Sequence, residues 1–415
     1  MIPLISRLCV LTLLSLSLCL STTRADPDQS VIIRFDANDR ALNIPFTLQN
    51  NRICVQVRIN DSAPLWAALD TGAAVCMLDR RKSEALGLPQ EGIHRLDTIG
   101  GAIHVPLLKG CTYTVSGFHL DNAPTVAVPL NNVASLPDQP LEAALGSSLF
   151  RNAVIEIHYA SGRLNLYAPD KYQYHGTGEI IPLSFDAHDV PWISAQCSPT
   201  GSATLKGRFK VDTGYSDALI FDARFTSDHR LIETCPTTFP APLNEIGGLS
   251  LRRVGRLKTF QVGTHQIHNP IAFFAQDQRG LLANTRYDGT IGGDFLRRFN
   301  VILDYPHKRM ILEPNEAHEE PFSYYYFGCG LQLTGTTLKS SSIVGVDANS
   351  PASAANLRDG DILLRIDGKP VDNITMPQLQ EILIQEGEDH QLLPHILEVE
   401  RAGRQVTLTY TLAKL

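Results

Sequence analysis

The sequence predicts a mainly β protein made of two similar lobes, residues 26–172 and 173–316, followed by a small α+β module over residues 317–415. Three observations lead there. An Asp-Thr-Gly triplet occurs twice, each copy flanked by short alternating apolar runs. The markers downstream of each copy come in the same order. Beyond residue 316 the pattern changes to glycine turns, short strands and helix signals. A chain of 415 residues is too long for one core and suits two or three domains.

The duplication is read element by element. Leu69-Asp70-Thr71-Gly72-Ala73 recurs as Val211-Asp212-Thr213-Gly214-Tyr215, with the aspartates 142 positions apart. Ahead of the first copy, Ile53, Val55, Val57 and Ile59 alternate with other residues, Asn60-Asp61-Ser62 turns the chain, and Leu65 to Leu69 returns. Ahead of the second, Val190 to Cys197 runs into a Ser-Pro-Thr-Gly turn and Leu205 to Val211 returns. After the triplets, Ala73 to Asp79 and Tyr215 to Asp222 read as short apolar strands. Ile99-Gly100-Gly101 follows Asp70 by 29 positions, and Ile246-Gly247-Gly248 follows Asp212 by 34. Ala144-Leu145-Gly146 and Thr290-Ile291-Gly292 follow at 74 and 78. Each half then closes on a strand pair: Val154 to Tyr159 with Leu164 to Tyr167, and Val301 to Tyr305 with Met310 to Leu312.

Glu313 to Pro321 is acidic, holds two prolines and lacks apolar periodicity, so it reads as a linker. Short strands follow from Phe327-Gly328-Cys329-Gly330-Leu331. Asn349-Ser350-Pro351-Ala352 leads into a small-residue helix, Asp359-Gly360-Asp361 makes a turn, Met376 to Gln385 has helical spacing, and Leu397 to Leu412 forms two strands around Ala402-Gly403.

Composition narrows the function classes. Hydrophobic residues make up 43% and charged residues 19%, which is a globular rather than a disordered balance. Lys and Arg total 36 against 43 Asp and Glu, for a formal charge of −7. A mildly acidic chain without basic runs is a poor partner for nucleic acid. At the start, Arg7 precedes an apolar run from Leu8 to Leu20, and Thr23-Arg24-Ala25 offers small residues at a cleavage site. Residues 1–25 therefore read as a secretory signal and the mature chain is expected to begin at Asp26, in the periplasm or secreted. An uncleaved membrane anchor is the alternative; a lipoprotein reading of Cys19 is weaker, because Leu18 stands where a small residue is wanted. Six cysteines remain after Ala25, at 54, 76, 111, 197, 235 and 329. None has C-x-x-C or zinc-ligand spacing, so buried free thiols are expected for most.

The chemistry rests on the paired triplets. Hydrolysis of a peptide without a metal or a covalent nucleophile needs a base to activate water and an acid to polarise the carbonyl. Two carboxyl groups held close together supply both. Like charges at that range cannot both ionise, so the pair keeps one proton. Gly72 and Gly214 let the backbone approach the carboxylates, and Thr71 and Thr213 can bond across between the loops. Residues 45–315 resemble the retropepsin-like and pepsin-like aspartic proteases, with both lobes in one chain. The resemblance implies the two-lobed acid-protease β-barrel fold, Asp70 and Asp212 as catalytic residues, Thr71, Gly72, Thr213 and Gly214 in support, and flaps at Ile99, Gly100, Gly101 and at Ile246, Gly247, Gly248. It implies polypeptide substrates, a monomer, and no metal or cofactor. Two positions depart from the pattern. Tyr215 stands where that family has a small residue, so its ring must turn from the dyad or crowd it. Leu145-Gly146-Ser147-Ser148 is a weaker form of Ile291-Gly292-Gly293-Asp294-Phe295-Leu296. The flap glycines also read as plain hairpin turns.

The tail from Tyr326 to Leu415 resembles a PDZ domain of the bacterial protease-associated kind. That implies a carboxylate-receiving loop at Gly328, Cys329, Gly330 and Leu331, with a peptide end added as a strand beside it, toward the Met376 to Gln385 helix. The alternative is a module that only packs against the lobes. Other chemistries find little: Gly214-Tyr215-Ser216-Asp217-Ala218 faintly resembles a nucleophile elbow but overlaps the triplet, no His-Glu-x-x-His occurs among 13 histidines, and there is no phosphate-binding loop. The expected function is an aspartic endopeptidase. A peptide-binding protein that has lost turnover is the runner-up, favoured by Tyr215, and a scaffold acting through the tail is the third reading.

Overall fold

The computed structural model describes residues 30–130, 140–201, 203–245, 248–283, 285–332, 341–387 and 391–415. The expected signal segment, and the flap residues Ile246 and Gly247, lie outside the described residues. No helix among the described residues is long and apolar enough to cross a membrane.

Each half begins with the hairpin its alternation predicts. Strand Arg52–Ile59 buries Ile53, Val55, Val57 and Ile59 and leaves Gln56 and Arg58 exposed. Burying each such apolar side chain stabilises by about 1.5–3 kcal/mol, which holds the register on this face. The turn is closed where Asn60 takes a positive φ and Ser62 Oγ accepts from the Ile59 amide at 2.9 Å. Leu65–Leu69 then returns antiparallel and delivers Asp70. In the second half, Pro191–Ser198 pairs with Leu205–Val211 in the same way and delivers Asp212.

The strand order around these hairpins is the same in both halves. Leu141–Leu145 lies parallel to Leu65–Leu69, and Gly289–Ile291 parallel to Leu205–Val211. Each of these runs antiparallel to the strand that follows its triplet, Cys76–Asp79 or Leu219–Phe221. Beyond lie Thr125–Val128 and Gly101–Leu108 in one half, Ile271–Ala275 and Arg252–Arg256 in the other. The sequence predicted longer strands from Ala73 and Tyr215. Instead the carbonyls of Ala73 and Ala74 accept from Ser147, and those of Tyr215 and Ser216 from Gly293 and Asp294. Those residues therefore form loops over the Gly146 and Gly292 turns.

A six-stranded sheet joins the halves, in the order Glu179–Pro182, Arg309–Pro314, Phe299–Asp304, Val154–His158, Arg163–Tyr167, Arg40–Pro45. At its centre the duplicated strands meet each other, Ile155 opposite Leu303 and Ile157 opposite Val301.

The linker expected at Glu313 to Pro321 is different from a free tether. Glu313 and Pro314 still pair with Asn300 and Phe299. The residues after them wrap the fully buried Arg298, which donates to the carbonyls of Ala317 and Glu320 and lies 3.5 Å from the centre of the Phe322 ring. The segment supplies acceptors to Arg298 Nη1, the Ala317 and Glu320 carbonyls, while Nε donates back to the Asp294 carbonyl. Phe239 and Tyr326 stack at 4.3 Å, which joins the second lobe to the tail.

The tail forms its own core around Ile343, Leu363, Ile366, Leu379, Leu397 and Val399. Its sheet runs Gly330–Gln332, Ser342–Val344, Ile362–Ile366, His395–Arg401, Arg404–Tyr410, with the first strand at an edge. Helix Met376–Leu383 starts from a capping box between Thr375 and Gln378.

Candidate active site

The two triplets meet face to face. The Thr71 amide donates to Thr213 Oγ1 at 3.1 Å, and the Thr213 amide to Thr71 Oγ1 at 3.0 Å. Each hydroxyl donates to the carbonyl before the opposite aspartate: Thr71 to Val211 at 2.7 Å, Thr213 to Leu69 at 2.6 Å. Both threonines are buried. Four bonds thus cross between the halves, each worth about 0.5–1.5 kcal/mol and costlier to leave unmade. The aspartate amides are tied in matching fashion, Asp70 to the Leu145 carbonyl and Asp212 to that of Ile291.

The glycines explain the close approach of the carboxylates. A Cβ on Gly72 would stand 2.3 Å from Asp212 Oδ2, and one on Gly214 would stand 2.4 Å from Asp70 Cγ. Each carboxylate therefore sits over the glycine of the other loop, where any side chain would expel it. Within its own loop, Asp70 Oδ1 accepts from the Gly72 amide at 2.9 Å. Asp212 Oδ1 accepts from Gly214 at 3.0 Å and Tyr215 at 3.1 Å. Burial, and next the Asp212 charge, raise the Asp70 carboxyl to about 7, although Lys210 and the Gly72 amide pull it down.

Tyr215 turns from the dyad. Its hydroxyl donates to Asp217 at 3.0 Å and accepts from the buried Arg252 at 3.1 Å. Gly292 leaves room for the ring, since a Cβ there would stand 2.6 Å from Tyr215 Cδ1.

A cleft of about 470 Å³ opens over the dyad. Ala74, Met77, Leu130, Leu141 and Ala144 give it an apolar wall, while Arg95, Arg151, Asp186, Asp189 and Arg286 bring charge. Strands Gln90–Thr98 and Gly101–Leu108 form a hairpin with Ile99 and Gly100 at its tip. In the second half, Leu243–Glu245 pairs with Gly248–Ser250, Glu245 opposite Gly248. The hairpins approach: an added Cβ on Gly248 would lie 3.7 Å from the Gly100 carbonyl oxygen. Gly280 of the second lobe packs on the Ile99 carbonyl so tightly that a Cβ would come within 2.0 Å of it, and Arg286 reaches both Asp97 and Asp186 at about 4 Å.

Gly328, Cys329, Gly330 and Leu331 sit in the tail, apart from the dyad. The Gly328 carbonyl accepts from Asp347 and Ser350, its φ is +79°, and Cys329 and Leu331 pack on the tail core. All six described cysteines are free thiols. Among the described residues no three His, Cys, Asp or Glu side chains gather as a metal site.

Several site residues went unread in the sequence. Arg52 Nε donates to the Gly214 carbonyl at 2.9 Å and Asn51 Nδ2 to that of Ser216 at 3.2 Å, so the first hairpin supports the second triplet. Lys210 Nζ lies 2.7 Å from Asp212 Oδ2. Lys206, Arg208 and Lys210 alternate with apolar residues, a pattern that reads as a solvated face. Its last member enters the cleft instead.

Comparisons with known proteins match parts of the chain. Residues 55–149 match the aspartyl protease family and residues 342–393 match the PDZ domain. The chain thus carries an aspartyl protease domain in its first half and a PDZ domain in its tail. No curated protein matches the chain. Among solved structures, an aspartic proteinase from Irpex lacteus is similar at 14% identity and a TM-score of 0.43, over 68% of this chain and 99% of that one.

Proposed function

We propose that this protein is an aspartic endopeptidase acting outside the cytoplasm as a single chain, with Asp70 and Asp212 as its catalytic pair and the PDZ domain selecting substrates or partners by their peptide ends. The observation that carries the reading is the reciprocal seating of each carboxylate over the opposite glycine, locked by Thr71 and Thr213. Two acids held together so that they share a proton have no use in a cleft that only binds. A water between them can lose a proton to the ionised member while the protonated member polarises the scissile carbonyl. An extended substrate would lie in the cleft beneath the hairpins at Ile99–Gly101 and 246–248. The rotation of Tyr215 toward Asp217 and Arg252 removes the main obstacle to turnover.

The test is hydrolysis of a peptide library from acidic to neutral pH. Asp70→Asn and Asp212→Asn should each lower kcat/KM by at least about 10²–10⁴-fold, while both variants stay folded and monomeric. In the parent enzyme kcat/KM should fall as pH rises through about 7, where Asp70 loses its proton. Full activity in Asp212→Asn would rule out an intramolecular pair and point to a dimer joining two copies of Asp70.

A further inference from the structure

The duplicated halves differ at the position two residues before each aspartate. In the first half it is Ala68, buried on an apolar wall with Leu141 and Ala144. In the second it is Lys210, whose Nζ lies 2.7 Å from Asp212 Oδ2 with both side chains largely shielded from solvent. Asp212 is therefore met by three donors: the Gly214 and Tyr215 amides on Oδ1 and the ammonium on Oδ2. The Asp70 side chain accepts from one backbone amide, that of Gly72. Donors aimed at a carboxylate favour its ionised form, and an adjacent cation does so most strongly.

We propose that Lys210 is a positioning residue that breaks the symmetry of the dyad, holding Asp212 as the carboxylate that activates water and leaving the shared proton on Asp70. This rests on the endopeptidase reading for its consequence in catalysis, but the ionisation it assigns is a property of the resting protein.

The surrounding charges are consistent with that assignment. Burial alone would lower the Lys210 ammonium, but Asp212, by charge and hydrogen bond, and then Asp70 and Asp222 raise it, so it stays charged. Asp222 shares its pocket, yet burial holds that carboxyl well above its usual range against the pull of Lys210, with Asp288 and Asp277 adding to the rise. The carboxylate that hydrogen-bonds the ammonium directly is Asp212. Asp186, Arg286 and Tyr287 line the same pocket, with Asp186 and Arg286 in mutual reach and the Tyr287 hydroxyl donating to Asp186 at 2.8 Å. Tyr215 is engaged with Asp217 and Arg252, and Arg52 with the Gly214 carbonyl. Burial keeps the Tyr305 phenol neutral well above its usual range, with the Asp212 and Asp70 charges adding to the effect.

The experiment compares the full-length parent, Lys210→Met and Lys210→Arg. The carboxyl carbons of Asp70 and Asp212 are titrated by NMR, with the signals assigned by their loss in Asp70→Asn and Asp212→Asn. The parent should show Asp212 ionised at a pH where Asp70 is still protonated. In Lys210→Met both midpoints should rise by about one pH unit or more, the effect of removing an opposite charge at this range. Lys210→Arg, which keeps the charge, should resemble the parent. Both limbs of the kcat/KM profile should shift upward with the midpoints in Lys210→Met, whereas a packing defect would lower activity without moving either limb. Unchanged midpoints in Lys210→Met, or a proton found on Asp212 in the parent, would overturn the assignment. If the methionine variant does not fold, Lys210→Gln serves the same comparison. Absence of hydrolysis by the parent at every pH would sink the endopeptidase reading alone, since the titration still judges Lys210.

Discussion

Asp70 ties the chemistry to stability. Its carboxyl titrates near 7 in the folded chain, because burial and Asp212 disfavour its charge, against about 3.9 in an unfolded one. Between those values the native state holds a proton that the unfolded state has released, so stability falls as pH rises through this window and levels off above about 7. Below about pH 4 both states are protonated and Asp70 costs nothing. Asp70→Asn removes the penalty, so its stability relative to the parent should grow from pH 4 to 7 and then stay flat. At about 1.4 kcal/mol per pH unit over that span, the gain is capped at about 4 kcal/mol. Urea unfolding of both proteins across pH 4–8 measures it, and a constant difference would show that Asp70 is ionised throughout.

Among the elements, the hairpin ending at Ile99 and Gly100 depends most on a contact made elsewhere. Gly280 has a φ of +81° and lies against the Ile99 carbonyl with no space for a side chain. Gly280→Val would strain its own backbone and push the hairpin away from the cleft. The expected result is a kcat/KM lower by up to about 10²-fold, since small misplacement of substrate-positioning groups is that costly, with the dyad and the core intact. Peptide kinetics alongside the thermal midpoint separates this from unfolding. An unchanged rate would mean the hairpin does not close on substrate.

In the whole molecule, the segment between the second lobe and the PDZ domain belongs to the lobe. Phe322 is buried against Arg298, its carbonyl accepts from Arg256 at 3.1 Å, and the Tyr324 ring meets Phe273 edge-on at 5.8 Å. A chain ending at Pro321 loses these contacts and strips cover from a buried guanidinium, a change of the kind that costs several kcal/mol. One ending at Tyr324 keeps them. The shorter chain should therefore melt at a clearly lower temperature, while the longer one should retain stability and hydrolysis of short peptides and lose only selection among whole-protein substrates. Equal melting of the two truncations would make the segment a passive tether after all.

The sequence by itself determined the two lobes, the hairpins that deliver Asp70 and Asp212, and the residue types of both triplets. Those features are local: period-two alternation names a buried face, and a glycine or threonine beside an aspartate has few other uses when it recurs in a duplicated setting. The family match covers residues 55–149 only, and it is the repeated strand order that relates the second lobe to the first. Tertiary structure alone decided where Tyr215 points, that the apparent linker is docked, and that Lys210 pairs with Asp212. The first two depend on partners 19 or more positions along the chain, Arg252 for Tyr215 and Arg298 for the linker, which alternation does not encode. Lys210 shows the physical reason most plainly. A polar strand face looks the same in sequence whether it meets bulk water or a cleft: the two-residue spacing sets Lys210 beside Asp212, and only packing the two halves together encloses that pair in the cleft.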